Sequence, residues 1–393
     1  MISIKNIYKK NKKTIPIIIG ILVILFILFF RLSSIVGGMN YLEIATVNNT
    51  KDIATIVNNG LNDPYNLLQF GVNKVMPTSI FSHRAISVLL TIPLMIFFFI
   101  HLKHKYGKYT APMVTVLFAS SAWLLHLSRS SVPTFLYISV LGILWFHSYI
   151  RSSMNYNRIY LLGILLLSFL IYIPGIIWFI IIGIIYERKI LKALIKKLNG
   201  QNIIVMSLIG LLLIIPLLYG LVKTPGNIIN FLGLPSSSPN LLTSVKLFAE
   251  IPYNLFIKMP YSPMIWLGTV PLLDYFSSAM FIIGGYRLVK NWKNDYSKMI
   301  IISFILGSIL YALNGPVSMI VILPSTYLII ASGLAHIIDM WFRVFPKNPI
   351  SRYVGLTILS IAVLAVFTYQ TRSYFVAWPN SNGTKSYYRH YPS

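Results

Sequence analysis

The stretch 203-IIVMSLIGLLLIIPLLYGLV-222 runs for 20 positions without a charged residue. As a helix it rises about 30 Å, the thickness of a bilayer's hydrocarbon core. Similar runs recur along all 393 residues, and charged residues make up only 10% of the chain. Soluble domains carry roughly 25%. The expected fold is therefore an all-α polytopic membrane protein. Its apolar runs read as spans at 15–30, 83–101, 109–127, 132–149, 158–173, 175–186, 203–222, 268–286, 298–313, 316–338 and 353–370, about eleven transmembrane helices.

Charge tests this arrangement. The chain has 33 Lys and Arg against eight acidic residues, a net charge of +25. A basic balance of this size also suits nucleic acid, but the basic residues cluster in short segments between apolar runs, as membrane topology demands. With the N-terminus cytoplasmic, 22 of the 33 fall on that side, in segments such as 103-KHKYGK-108 and 187-ERKILKALIKK-197. The remaining eleven lie outside or at outer helix ends. The C-terminus is then extracytoplasmic and the location a cell (plasma) membrane. The lysines before residue 15 also open a signal peptide, but no small-residue cleavage site follows, so the first run reads as an uncleaved span.

Residues 158–186 are nearly all apolar and are broken by Pro174-Gly175. One helix of that length spans about 43 Å, too long for a core of ~30 Å, and would put the cluster at 188–197 outside. Two helices meeting at Pro174 keep it inside, either as two spans or as a hairpin entering from the cytoplasm. Two membrane modules follow, 1–223 with an external loop at 32–82, and 224–393 with an external loop at 223–266 and an external tail at 371–393. In the first loop Ile53, Ile56, Val57 and Leu61 recur with helical spacing, and Asp63-Pro64 reads as a cap followed by proline at the first helical position. Leu67, Leu68, Val72 and Val75 form the next stripe. Short helices lying at the outer membrane surface are expected there.

Few polar residues are placed to carry chemistry. Glu43, in 38-GMNYLEIATVNN-49, is positioned as a general base, but Asn40 and Glu43 also have the spacing of a helix capping box. Arg129, in 123-WLLHLSRSSVPTFLY-137, lies outside against the inward bias, and its planar fork suits a phosphate. The alternative is an arginine reaching to lipid headgroups. Arg84 at the start of the second span is either another phosphate contact or an anchor. His126, Asp274 and Lys258 are possible accessory residues, with Asp274 also suited to capping a helix. Asp52 sits at a helix start. His336 and Asp339 share a helical face and suggest a structural pair. Tyr374, Phe375 and Trp378 suit either an interfacial belt or stacking on sugar rings. The chain has no cysteine, which excludes disulfides and thiolate metal sites. No metal ligand set and no soluble nucleotide motif is present in the sequence, and a need for a divalent metal is left open.

The order of these features resembles the GT-C glycosyltransferases of the bacterial family-39-like group, relatives of protein O-mannosyltransferases and aminoarabinose transferases. Arg84, Gly107, 118-FASSAW-123 and Arg129 occupy the family's places in the segment 83–139, and 322-ILPSTYLIIASGL-334 and 374-YFVAWPNS-381 are similar to its late segments. The resemblance implies a polyprenyl-phosphate-linked sugar as donor, membrane lipid as surroundings, and a lipid, protein or glycan acceptor. It implies Glu43 as catalytic base, with Arg129 and Arg84 binding the donor phosphate. The family's first loop normally carries an acidic pair or an Asp, where this chain has Asn40 and Glu43. The turn after the third span often has a second Arg and an acidic residue, where this chain has Val132 and Thr134. Two other functions compete: a catalytically degenerate relative that binds lipid-linked glycan or scaffolds envelope assembly, and a transporter or flippase. Transport calls for polar residues or broken helices at mid-membrane, whereas these spans are apolar there, with Pro324 the main interruption.

Overall fold

The computed structural model describes residues 15–133, 156–235, 240–259, 270–314 and 321–388. Among them the chain is helical and contains no strand. Helix α1 (Ile15–Phe29) leads into three short helices, α2 (Tyr41–Asn49), α3 (Ile53–Asn59) and α4 (Asp63–Val75). Then come α5 (Ile80–Ser120), α6 (Ala122–Ser128), α7 (Tyr156–Leu170), α8 (Ile176–Lys196) and α9 (Gly200–Lys223). The second half holds α10 (Asn227–Phe231), α11 (Leu241–Ala249), α12 (Ile251–Phe256), α13 (Tyr275–Lys290) and α14 (Asp295–Asn314). It ends with α15 (Leu323–Val344), α16 (Pro349–Arg372), a wide turn at Ser373–Ala377, and α17 (Asn382–Tyr387). Most of the expected span 132–149, and Thr134, lie outside the described residues, as do the first residues of the runs at 268 and 316.

Five described helices are long and apolar enough to cross a membrane: α5, α9, α14, α15 and α16 with its following turn. Within α5 the chain reverses at Gly107, whose φ of 81° and ψ of −177° break the helix. Only glycine adopts that backbone without strain. Phe98 and Phe118, on opposite sides of the break, bring their ring centroids to 4.6 Å, so the two halves lie side by side. The reversal falls between the two runs read from the sequence as 83–101 and 109–127. The end of the molecule at which α5 begins is called the upper end below. The α7–α8 turn reaches that end too, because the Asn62 amide donates to the Tyr172 carbonyl at 3.0 Å.

The short helices meet the expectation of helical structure in the segment 32–82, but Asp63 does not cap. The cap position is Asn62, in the left-handed region at φ 58°, and Asp63 is the first helical residue with Pro64 after it. Helix α4 buries Asp63, Tyr65, Asn66 and Gln69, while Leu67, Leu68 and Val75 face outward at 46%, 48% and 86% exposure. A soluble amphipathic helix does the reverse; a polar-in, apolar-out helix suits contact with lipid.

Helix α15 is the centre of the body, buried at every position from Leu323 to Ala335. Its Tyr327 meets Phe118 of α5 with ring centroids 4.9 Å apart. Against α13 it is held by two glycines. A Cβ on Gly333 would lie 1.9 Å from the Met280 carbonyl oxygen, and one on Gly284 at the same distance from that of Ile329. Small residues let apolar helices approach this closely, which is how helices gain contact in lipid. Gly333→Ala should therefore force α13 and α15 apart and cost about 1–3 kcal/mol. Gly285→Ala, which meets nothing within 4 Å, should be tolerated. Thermal unfolding in detergent compares the two, and equal midpoints would contradict the contact.

Candidate functional site

Helix α2 starts with a reciprocal cap. Asn40 Oδ1 accepts from the amides of Leu42 at 2.9 Å and Glu43 at 3.0 Å, and the Asn40 amide donates back to Glu43 Oε2 at 3.1 Å. The capping box is thus present, but the same carboxylate does more. Glu43 is fully buried. Its Oε1 accepts from Arg84 Nε at 2.8 Å and from the Ser131 amide at 2.9 Å, and its Oε2 accepts from Arg84 Nη2 at 2.9 Å. Four N–H donors therefore fill the roughly four acceptor positions of a carboxylate. The bidentate geometry with Arg84 is the strongest that side chains offer.

Arg84, 2% exposed, also donates from Nη1 to the Leu32 carbonyl at 3.2 Å and from Nη2 to that of Gly38 at 2.8 Å. It thereby fastens the connection between α1 and α2. Arg129 does the same for α1 itself. Its Nη1 donates to the carbonyls of Ile27 at 2.5 Å and Leu28 at 2.9 Å, and its Nη2 to that of Phe30 at 2.6 Å. These are the acceptors that a helix C-terminus leaves unpaired, where a cation is favoured. Its Nε donates to Tyr374 Oη at 3.1 Å. Each arginine thus commits four of its five donors inside the protein. Neither reaches out to headgroups, and neither presents an open fork.

The tail completes this plug. Tyr374 and Trp378 are buried and stacked, with ring centroids 5.4 Å apart, and His126 meets both edge-on. These two aromatics serve neither as an exposed belt nor as an open stacking platform. Tyr388 accepts from Asn40 Nδ2 at 3.1 Å, and its ring lies 6.0 Å from the Arg84 guanidinium carbon. Tyr65 of α4 bonds Ser87 at 3.0 Å, and Ser87 donates to the Val132 carbonyl at 3.2 Å, tying α4 to the turn after α6. Glu43, Arg84, Arg129 and His126 therefore come together at the upper end.

Two accessory candidates do not join them. Asp274 caps α13, accepting from the Ser277 amide at 2.9 Å and hydroxyl at 2.7 Å and from Gln370 Nε2 at 3.3 Å. Lys258 is exposed beyond α12. Asp52 caps α3 through Thr55, whose bonds lower its pKa. Asp339 pairs with Arg287 at 2.9 Å instead of His336, because α13 brings a longer, permanently charged partner to that face.

Beside the plug, between the α1–α2 connection and the tail, lies a cavity of about 420 Å³. Arg31 and Lys385 line it, and Tyr388 links it to Asn40. Sequence reasoning passed over both cations. The available signal was their position on the side of the membrane expected to be poor in Lys and Arg. Among the described residues no group of three or more His, Asp or Glu side chains forms a metal site.

Asp63, read from the sequence as a cap, has a different environment. It is 2% exposed, and neither carboxylate oxygen has a hydrogen-bond partner among the described residues. Leu61, Tyr172 and Leu217 form the apolar cluster beside it, and burial pushes its pKa up to about 7. A lone buried carboxylate favours its neutral form. Between about pH 4 and about pH 7 the folded state thus holds a proton that the unfolded chain has lost, so stability falls as pH rises through that window. Thermal midpoints measured across it should decline for the wild type and decline less for Asp63→Asn. Identical profiles would contradict a buried, unpaired carboxyl.

No family model matches this chain, and a search of curated proteins returns no match.

Proposed function

We propose that the chain is a multi-pass glycosyltransferase of the plasma membrane, with about eleven spans in a GT-C-like arrangement. It takes a sugar from a polyprenyl-phosphate donor at the outer face and passes it to a lipid, glycan or protein acceptor. The observation that carries this is the meeting of Glu43 and Arg84, from elements 41 residues apart in sequence, beside a cavity lined by two further cations. Transfer needs a base for the acceptor hydroxyl and positive charge near the departing phosphate. The acceptor oxygen bonds to the sugar's anomeric carbon as its proton goes to the base. The bond from that carbon to the phosphate oxygen breaks, and its electron pair leaves with the lipid phosphate. Attack opposite the leaving group inverts the sugar.

In this reading Glu43 is the base, and it must first give up one of its four donors. The Asn40 amide, at 3.1 Å the longest of them, is the one an acceptor hydroxyl displaces most readily. Arg84 orients the carboxylate through two N–H donors, and Arg129 positions the turn at 129–131 that supplies the Ser131 amide.

The complete saturation of Glu43 favours a second reading, in which the chain binds lipid-linked glycan or scaffolds envelope assembly without catalysis. Purified protein given a panel of polyprenyl-phosphate sugars separates the two. Turnover by the wild type, reduced about 10²-fold or more in Glu43→Gln with folding retained, supports the transferase. No turnover by folded wild type with any donor supports the binder.

A further inference from the structure

The cavity beside the plug has a composition that the transferase chemistry alone does not require. Its charged residues, Arg31 and Lys385, are both exposed, and neither has a carboxylate partner among the described residues. Arg31 makes one long contact, from Nη2 to the Ser34 carbonyl at 3.5 Å, which is too long for a strong bond. Its backbone sits in the left-handed region at φ 52°, a conformation unfavourable for a long side chain and concentrated at functional positions. No acidic residue lines the cavity. Glu43, whose partner Asn40 bonds the cavity-lining Tyr388, is already paired with Arg84.

The rest of the wall is mixed, with the polar Asn380 and Tyr388 beside an apolar part. Ile35, Val36, Phe375 and Pro379 form that part. Phe375 meets Phe30 at 5.7 Å between centroids, and Phe30 meets Phe26 at 5.0 Å. Phe26 and Phe30 are 63% and 42% exposed on the flank of α1. A ladder of rings thus runs from the cavity down the outside of an apolar helix. A free inorganic anion has no use for such a track, whereas a phosphate attached to a hydrocarbon chain uses both parts at once. The volume lies within the ~300–1,000 Å³ of small-molecule sites.

We propose that this cavity binds the phosphate headgroup of a polyprenyl-type lipid, with Arg31 and Lys385 holding the phosphate and the chain leaving along Phe375, Phe30 and Phe26. The proposal rests on the transferase reading for the sugar the lipid carries. It places the phosphate on these two cations and leaves Arg84 and Arg129 to the carbonyls they already hold.

The test is binding by the full chain in phosphatidylcholine nanodiscs, with farnesyl phosphate as probe and farnesol and inorganic phosphate as comparisons. The expected result is saturable binding of farnesyl phosphate, at least about tenfold tighter than farnesol or inorganic phosphate, and weakened about tenfold or more in Arg31→Ala/Lys385→Ala. That double variant should keep the wild-type thermal midpoint, since neither residue belongs to the plug. Farnesol bound as tightly as farnesyl phosphate would overturn the proposal, and so would inorganic phosphate bound as tightly. Unchanged affinity in the folded double variant would also overturn it. The outcome is separable from the transferase reading. Binding without turnover sustains the site and sinks the enzyme, whereas turnover unaffected by the double variant does the opposite.

Discussion

A carboxylate and a guanidinium buried together in an apolar helical body persist only when every acceptor and nearly every donor is used. Glu43 and Arg84 meet that condition by recruiting backbone groups from three separate stretches: the α2 cap, the connection at 32–38 and the turn at Ser131. The pair thus dictates where those stretches sit. Removing either partner would leave a buried charge uncompensated, at a cost of roughly 3–5 kcal/mol. Arg129 repeats the device without a carboxylate. It satisfies the carbonyls at the end of α1 and carries the ring of Tyr374 on its side chain. The upper end is therefore organised by two cations that act on backbone, and the space left beside them is the cavity lined by Arg31 and Lys385.

This division of labour bears on mechanism. Arginines suited by type to phosphate are spent on holding the chain, while the cavity's two cations, Arg31 after α1 and Lys385 on α17, have neither a carboxylate partner nor a strong side-chain bond among the described residues. Phosphate recognition belongs with charges whose donors remain available, because a guanidinium already bonded to carbonyls would have to break those bonds to take a ligand. The two buried carboxyls of this end differ in their donors. Glu43 has four donors, and Asp63 has none among the described residues.

Local features were legible in the sequence. The reversal at Gly107, the paired α7 and α8 around Pro174-Gly175, the capping box at Asn40 and Glu43, and the cap at Asp274 all follow from spacing within one or two turns. Partners chosen across the fold were not. Nothing in the sequence pairs Glu43 with a residue 41 positions away, assigns Arg129 to the carbonyls of α1, or gives Asp339 to Arg287 rather than His336. Such choices depend on which helix ends meet, and hydrophobic periodicity is silent on that. Asp63 illustrates the limit within a single turn. The Asp-Pro pair promised a cap, but Asn62 took the left-handed position before the helix, and Asp63 became its first, buried residue.

The central claim is that one buried pair holds the segments around it. Amide hydrogen exchange on the full chain, wild type against Glu43→Gln, measures this directly. The account predicts that protection falls at least about tenfold in residues 30–43 and 129–131 and stays unchanged where α13 meets α15. Unaltered protection in residues 30–43, or an equal loss across all helices, would contradict it.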